Sequence, residues 1–184
     1  MSSVVLSGDT SGAITLSAPS VAGTNTITLP ALTGTVLTTK TAGTVLQVVQ
    51  TAYTTADSTT SAAPSSMANT GCTASITPSS STNKILVMLS MPTFHNTAAM
   101  EGAARIMRGS SAAFSGIAQD YYTASGNGIT GNINIQWLDS PATTSSVTYT
   151  AQFGTYNGGT LYINKDFSGN NNGVTYLTLM EVSA

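Results

Sequence analysis

Few side chains in this chain have the type and spacing that chemistry needs. Ser81 and Lys84 have the Ser-x-x-Lys spacing in which a lysine can activate a serine as a nucleophile. That arrangement needs the serine at the start of a helix and a Lys-Thr-Gly triplet later in the chain. Here Ser81 lies in a turn-like segment, Lys84 opens a strand-like segment, and no such triplet follows. The spacing therefore does not indicate an acylating enzyme.

The titratable residues do not form a catalytic pattern either. His95 is the only histidine, so a Ser-His-Asp arrangement would depend on it, with Asp120 or Asp139 as the orienting carboxylate. Three copies of His95 on a symmetry axis could hold a metal, but no His-x-His repeat supports this. Paired carboxylates for glycoside cleavage would have to come from Glu101, Asp120, Asp139 or Asp166, whose spacing indicates no pairing. We therefore predict no enzyme activity, no cofactor and no metal.

Aromatic rings and amides favour binding over catalysis. Trp137, Tyr149 and Phe153 lie on the apolar side of alternating segments, which predicts that their rings belong to a core. Rings outside such a pattern are available to stack on sugars, and Gly/Asn-rich turns are where a rigid scaffold presents contacts. The predicted receptor-binding residues are Tyr121, Tyr122, Tyr156, Asn127 and Asn171.

Composition limits the classes of partner. Of the 184 residues, 7% are charged, against about 25% in an ordinary soluble domain. The five basic residues are scattered, so we expect no nucleic-acid binding. The longest apolar run, Ile85 to Leu89, is far short of the roughly 20 residues that span a bilayer, so we expect no membrane insertion. The first residues lack the basic stretch of a signal peptide, and the single cysteine, Cys72, predicts no internal disulfide.

Residues 1–42 are predicted to form an attachment region separate from the main domain. Short Thr/Ile/Val/Leu segments recur there between Gly and Pro, and they predict strands near residues 3–6, 13–17, 26–29 and 35–39. Strands this short cannot cover their apolar edges within one chain, which favours exchange with sister chains or pairing with the sheet edge of another protein. The predicted attachment residues are Val5, Ile14, Leu16, Ile27, Leu29 and Val36.

Residues 43–184 are predicted to form an antiparallel, jelly-roll-like β-sandwich, so that the fold class is all-β. The Asn157-Gly158-Gly159 turn predicts a hairpin, Pro92 is expected to end or edge a strand, and Thr54 to Gly71 predicts a long loop. Ala98 to Arg108 is compatible with a strand or with a helical turn. Strands are predicted at Val45–Gln50, Thr73–Thr77, Lys84–Met91, Ala103–Met107, Asn132–Trp137, Val147–Tyr156, Thr160–Asn164 and Val174–Val182. About eight strands with hairpin and longer connections are typical of a jelly roll.

Several of these segments, taken together, resemble a known group of proteins. Ser11–Pro19, Thr26–Pro30 and Thr33–Thr38 resemble a segment of tailed-bacteriophage structural proteins, particularly fibre-like proteins. Thr73–Ser80 with Lys84–Val87 is similar to the start of their C-terminal domain. The resemblance implies a homotrimeric, non-enzymatic virion protein with an N-terminal attachment region and a C-terminal β-rich head. It implies a short tail fibre or fibre tip that binds a host receptor or, alternatively, a capsid decoration protein (head fibre or cement protein).

The resemblance also implies partners. These are sister chains, a phage capsid or tail/baseplate protein bound through residues 1–42, and a host surface glycan, in a virion assembled in the host cytoplasm. Packing about a threefold axis would bury one face of the strand at Lys84–Met91 together with part of Tyr176–Met180. An interface of Thr and apolar side chains avoids the several kcal/mol per ion that desolvating charges costs, which fits the low charge. The predicted interface residues are Ile85, Val87, Leu89, Tyr176, Leu177 and Leu179.

Overall fold

All regular structure in the described part of the chain is β-strand, and the chain divides into two compact units, Met1–Val36 and Leu37–Ala184. The sequence placed the boundary a few residues later, at 42. The computed structural model describes residues 3–17, 20–21, 23–24, 42–95, 100–112, 118–119, 129–166 and 168–184. The strands predicted near 26–29 and 35–39 lie outside the described residues.

The smaller unit contains an antiparallel hairpin. Strand β1 spans Ser3–Ser7 and strand β2 spans Ala13–Ser17, as the sequence predicted. The turn between them closes with the Gly8 amide donating to the Gly12 carbonyl at 3.0 Å. Gly12 adopts a φ of 80°, a conformation that residues without a Cβ adopt at little cost.

The larger unit carries eleven further strands in the described residues. They are β3 (Val45–Tyr53), β4 (Asp57–Thr59), β5 (Ala68–Ile76), β6 (Lys84–His95), β7 (Glu101–Arg108), β8 (Ser111–Ala112), β9 (Ala118–Gln119), β10 (Ile129–Asp139), β11 (Val147–Tyr156), β12 (Leu161–Ile163) and β13 (Thr175–Val182). Every pairing between these strands is antiparallel.

The strand order is that of a jelly roll. The first sheet runs β3-β13-β6-β10, with β12 and β4 continuing beside the end of β6, and the second runs β5-β11-β7-β8, with β9 also beside β7. Strands adjacent in sequence therefore fall mostly in different sheets, while the first and last strands of the sandwich, β3 and β13, pair with each other. This arrangement confirms the prediction of an antiparallel, jelly-roll-like sandwich.

The core lies between the two sheets and is built by strict alternation. In β5 the residues Thr70, Cys72, Ala74 and Ile76 face inward while their neighbours are exposed. Tyr149, Ala151 and Phe153 of β11 are fully buried, which confirms the core prediction for Tyr149 and Phe153. Trp137 is partly buried and packs against the same cluster. Each large apolar side chain buried in this way contributes roughly 1.5–3 kcal/mol.

Five of the six predicted interface residues belong to this core. Ile85, Val87, Leu177 and Leu179 are 0% exposed and Leu89 is 2% exposed, with only their own chain covering them. These five side chains are therefore unavailable to a partner, and only Tyr176, at 42% exposure, faces outward. The correction has a simple cause: β6 is apolar on both faces, and the sequence does not tell which face the second sheet covers.

The predicted hairpin between Val147–Tyr156 and Thr160–Asn164 is wrong. The turn at Asn157–Gly159 does form, with positive φ at all three residues. However, β11 pairs with β5 and β7, whereas β12 pairs with β4 and β6 in the other sheet. The turn therefore carries the chain from one sheet to the other, because turn residues fix the local reversal and not the strand partners.

Two other local predictions are corrected. Pro92 lies inside β6, where the neighbouring strand changes from β13 to β12. Between these two neighbouring strands, the Pro92 carbonyl accepts a hydrogen bond from the Asn164 amide at 3.2 Å. The proline nitrogen lies on the same side of the strand and carries no hydrogen, and no acceptor of a neighbouring strand needs one at this position. The long loop at Thr54–Gly71 contains β4 and the first residues of β5. By contrast, residues 101–108 form β7, which confirms the strand predicted at Ala103–Met107 and not the alternative of a helical turn.

Candidate interaction surfaces

The N-terminal hairpin presents an uncovered apolar face. In its register Val4 lies opposite Leu16 and Leu6 lies opposite Ile14, so these four side chains share one face. They are 56–67% exposed. Val5 is also exposed but lies on the other face, opposite Thr15. An isolated two-stranded hairpin is marginally stable in water, so this face is suited to a partner surface.

The predicted attachment residues thus divide into three groups. Ile14 and Leu16 lie on the apolar face, while Val5 lies on the opposite face of the hairpin. Ile27, Leu29 and Val36 lie outside the described residues.

The chain enters the sandwich at one end, which we call the proximal pole. Gly43 and Thr44 precede β3 and are held to the C-terminal Ser183. The Gly43 amide donates to the Ser183 carbonyl at 2.9 Å, and the Ser183 amide donates to the Thr44 carbonyl at 3.0 Å. The Thr44 amide also donates to Ser183 Oγ at 3.0 Å. The start of β3 is therefore fixed to the end of the last strand.

A buried carboxylate reinforces the proximal pole. Glu181 of β13 is 0% exposed and accepts hydrogen bonds from Gln47 of β3 and from the turn between β5 and β6. In that turn, the Ser79 amide and hydroxyl lie 2.7 and 2.8 Å from Oε1, and Asn83 Nδ2 lies 2.6 Å from it. Burial alone would raise the pKa of this carboxyl, but the donors outweigh burial and lower the pKa to about 2.

A second buried carboxylate joins the two sheets at the same pole. Asp139, at the end of β10, accepts two hydrogen bonds from Arg108 Nη1 at 2.7 Å and one from the Tyr149 hydroxyl at 2.6 Å. The Ser140 amide donates to the same carboxylate at 2.8 Å. Burial raises the pKa of Tyr149, and the hydrogen bond to Asp139 raises it further, so Tyr149 stays a neutral donor. This is a structural clamp between the first and second sheets.

Asp139→Asn is expected to lower the free energy of unfolding by about 2 kcal/mol, because an amide nitrogen then faces buried donors. Tyr149→Phe, which removes only one hydroxyl and leaves the ion pair, is expected to cost about 1 kcal/mol. Urea denaturation followed by circular dichroism measures both. Arg108 is partly exposed to water, whereas Asp139 is buried. Equal costs for the two variants would contradict the clamp, because they would mean that the contacts of Asp139 other than its hydrogen bond with Tyr149 add nothing to stability.

The opposite end, the distal pole, carries four described loops, and two of them are longer than the described loops at the proximal pole. The four loops are residues 54–56, 60–67, 157–160, and 164–166 with 168–174, and the second and the last are the longer ones. Tyr156 ends β11 at this pole and is half-buried, while Asn171 is exposed in the last loop. The structure therefore brings these two predicted receptor-binding residues to one pole. Tyr121, Tyr122 and Asn127 lie outside the described residues.

The loop after β12 is held by its own side chains. The Asn170 amide and side chain donate to the Asp166 carboxylate at 2.9 and 3.1 Å, and Asn172 donates to it at 2.7 Å. These bonds, the Asn170 amide first, lower the pKa of Asp166. Next to this loop, Lys165 Nζ lies 4.9 Å from the centre of the Tyr162 ring, which in turn packs against Phe94. The distal pole thus presents an exposed loop with a defined shape.

His95 and Asp139, the described members of the candidate Ser-His-Asp arrangement, lie far apart, and Asp120 lies outside the described residues. His95 pairs with Ile129 at one end of the β6–β10 ladder, and Asp139 pairs with Ile85 at the other end. Ser81 lies in a turn and Lys84 begins a strand. Within the described ranges, no group of three or more His, Cys, Asp or Glu could hold a metal ion. That same part of the chain has no helix long and apolar enough to cross a membrane.

Sequence reasoning missed the buried polar residues at both poles. Glu181 stands out in an apolar strand, and this isolated charge was the available signal for a buried network. Asn164, which is 0% exposed next to the distal loop, gave no such signal because Asn is common in turns.

No family model matches the chain, and no curated protein matches it. Among solved structures, the VP2 subviral particle of infectious bursal disease virus is similar with a TM-score of 0.36 and 12% identity, over 75% of this chain and 37% of that chain. The Gt strain of the same virus gives a TM-score of 0.36 and 11% identity, over 98% of this chain and 47% of that chain. The chain spans less than half the length of these proteins.

Proposed function

We propose that this chain is a non-enzymatic structural protein of a phage virion, a trimeric short tail fibre or fibre tip. Its N-terminal region attaches to a capsid or tail/baseplate protein, and the distal pole of its sandwich contacts a receptor, with a host surface glycan as the expected ligand. The proposal rests on the sequence segments that resemble phage fibre-like proteins and on the polarity of the described sandwich.

That polarity is the observation that carries the proposal. The chain enters at the proximal pole, where Gly43 and Thr44 are bound to Ser183. The two longest described loops lie at the distal pole, where Tyr156 ends β11 and Asn171 lies in the last of these loops. A rigid antiparallel scaffold separates the two poles, and β6 and β10 run its full length over a ladder of eleven residue pairs. Within the sandwich, the loops of the distal pole therefore lie at the end opposite the point where the chain enters β3.

The apolar hairpin face supports the attachment part of the proposal. Val4, Leu6, Ile14 and Leu16 are more than half exposed, and burying such side chains against a partner contributes roughly 1.5–3 kcal/mol each. The edges of the two strands also offer main-chain hydrogen bonds to a neighbouring sheet.

Leu16→Asp is expected to lower incorporation into particles at least about tenfold, because a carboxylate on the hairpin's apolar face must be desolvated on docking. Thr15→Asp adds the same charge on the opposite face and is the matched control, expected to incorporate normally. Quantitative immunoblotting of purified particles measures both. Incorporation of Leu16→Asp at the parent level would refute the anchoring role.

Capsid decoration remains the second candidate because the resembling segments are poorly specific for position on the particle. Copy number per particle separates the two: tens of copies indicate the tail, and hundreds indicate the head. Inhibition of adsorption by the isolated protein would favour the tail as well.

A further inference from the structure

The outer face of the first sheet is organised in rows that cross all four main strands. From the strand register, Val48, Met180, Leu86 and Leu138 form one row. The next row is Gln50, Thr178, Met88 and Gln136, and the third is Ala52, Tyr176, Ser90 and Asn134. These three rows contain no charged residue, and Lys84 lies beyond them on the proximal rim.

This face holds the exposed apolar side chains of the described sandwich. Val48, Leu138 and Tyr176 are 55%, 47% and 42% exposed, and Val45, which is 51% exposed, lies opposite Val182 at the edge of the same face. A groove of about 280 Å³ on this face is lined by residues that include Met88, Gln136 and Tyr176.

The outer face of the second sheet is different in kind. It presents Ser75 bonded to Thr148 at 2.7 Å, and Gln152 bonded to Asn69 at 2.7 Å. Arg105 donates to the same Gln152 at 2.6 Å, which places a cation on this face. Hydroxyls, amides and a guanidinium suit contact with water, whereas the outer face of the first sheet has a continuous apolar row.

We infer that the outer face of the first sheet is a contact between copies of this chain, turned toward the axis of the proposed homotrimer, on which this inference rests. Each copy carries a net charge of −2, so copies repel wherever charged surfaces meet. The three uncharged rows let two copies meet without opposing like charges or desolvating ions.

The area of the face is in the range that association needs. Four strands about 4.8 Å apart and about 30 Å long present roughly 600 Å² of sheet, and side-chain relief increases the accessible area. Specific interfaces bury about 800 Å² per partner, so the whole face, covered by the two neighbouring copies about the axis, reaches the lower end of this size class.

The test measures whether the face is covered in the full-length protein. Gln136→Cys places a thiol on the face, and Thr73→Cys places one at a position that is also exposed, on the outer face of the second sheet. The native Cys72 is fully buried, and burial raises the pKa of its thiol to about 11, so it does not compete for a neutral maleimide. At high protein concentration the Gln136→Cys thiol is expected to react about tenfold more slowly than the Thr73→Cys thiol.

Adding Leu138→Asp to Gln136→Cys is expected to restore fast labelling, because it puts a like charge into the apolar row of every copy. Thr73→Asp in the same background is the control and is expected to leave the protection intact. Equal labelling of the two thiols in the parent background, or protection that survives Leu138→Asp, would overturn the inference.

These outcomes separate the inference from the proposed function. Fast labelling of Gln136→Cys, with particle incorporation still dependent on Leu16, removes the contact face and leaves the virion role standing. If the Gln136→Cys thiol is protected but Leu16→Asp leaves incorporation unchanged, the contact face stands and the anchoring role of the hairpin is removed.

Discussion

Replacing Asn164 by alanine is expected to lower the free energy of unfolding by about 4 kcal/mol, which corresponds to roughly 8–16 °C in Tm for a domain of this size. Asn164 is 0% exposed and joins three strands of the first sheet. Its Nδ2 donates to the Tyr53 and Thr55 carbonyls at 2.8 and 2.9 Å, and its Oδ1 accepts from the Thr175 hydroxyl at 2.8 Å. Alanine leaves all three of these groups without this partner.

The backbone of Asn164 adds to the cost. Its φ is 58°, a left-handed conformation that asparagine tolerates and alanine resists. Gly173 packs directly on this backbone, since a Cβ there would lie 2.7 Å from Asn164 Cα. The residue therefore has little room to relax after substitution.

Two further variants separate the contributions at Asn164. Asn164→Gly removes the conformational cost and keeps the loss of hydrogen bonds, so it is expected to recover only about 1 kcal/mol relative to alanine. Asn172→Ala removes an exposed amide that bonds Asp166 and is the control, with an expected cost below about 1 kcal/mol. Urea denaturation followed by circular dichroism provides the values. Stability of Asn164→Ala within 1 kcal/mol of the parent would contradict the role of this side chain.

The alternating strands were predictable because the signal is local. In β11, Val147, Tyr149, Ala151 and Phe153 alternate with polar residues, and a period of two places them on one face. The same rule found β10. The scarcity of charge and the number of strands then favoured a sandwich, since only two packed sheets bury so many inward faces.

What could not be predicted depends on residues that are distant in sequence. In β6 the residues on both faces are apolar. The side that faces the core is therefore decided by packing against β11 and β5, and the sequence does not show how these strands lie relative to β6. The same ambiguity placed Ile85, Val87 and Leu89 at an interface when Leu86 and Met88 face outward. The turn at Asn157–Gly159 likewise fixed a reversal without fixing a partner.

The buried polar contacts are long-range in the same sense. Glu181 meets Asn83 across 98 positions, and Asn164 meets Tyr53 across 111. The isolated charge of Glu181 in an apolar strand indicates burial but does not identify Asn83 as its partner, and Asn164 has the same local context as any turn asparagine. The contacts of these two residues were therefore less predictable than the positions of the strands.

The Glu181 carboxylate makes the sandwich sensitive to acid. Its pKa is about 2 in the folded protein and 4.5 without these contacts, so the ionised form favours folding. The stabilisation is fully present above about pH 4.5 and is lost as the pH falls toward 2. The urea midpoint of the parent protein is therefore expected to fall over this interval as the carboxylate takes up a proton.

Glu181→Gln keeps the shape of the side chain but replaces one acceptor oxygen by a donor that faces Gln47 or Ser79. It is expected to cost about 3 kcal/mol at pH 7, since bonds to a charged acceptor are among the stronger ones. The gap to the parent should narrow as the pH falls from 4.5 toward 2, because the parent then loses the same charge. Asp9→Asn removes an exposed carboxylate in the hairpin turn and is expected to change stability at pH 7 by less than about 0.5 kcal/mol. Urea denaturation at a series of pH values decides the matter: if parent and Glu181→Gln keep a constant separation down to pH 2, the buried carboxylate is not the source of the acid sensitivity.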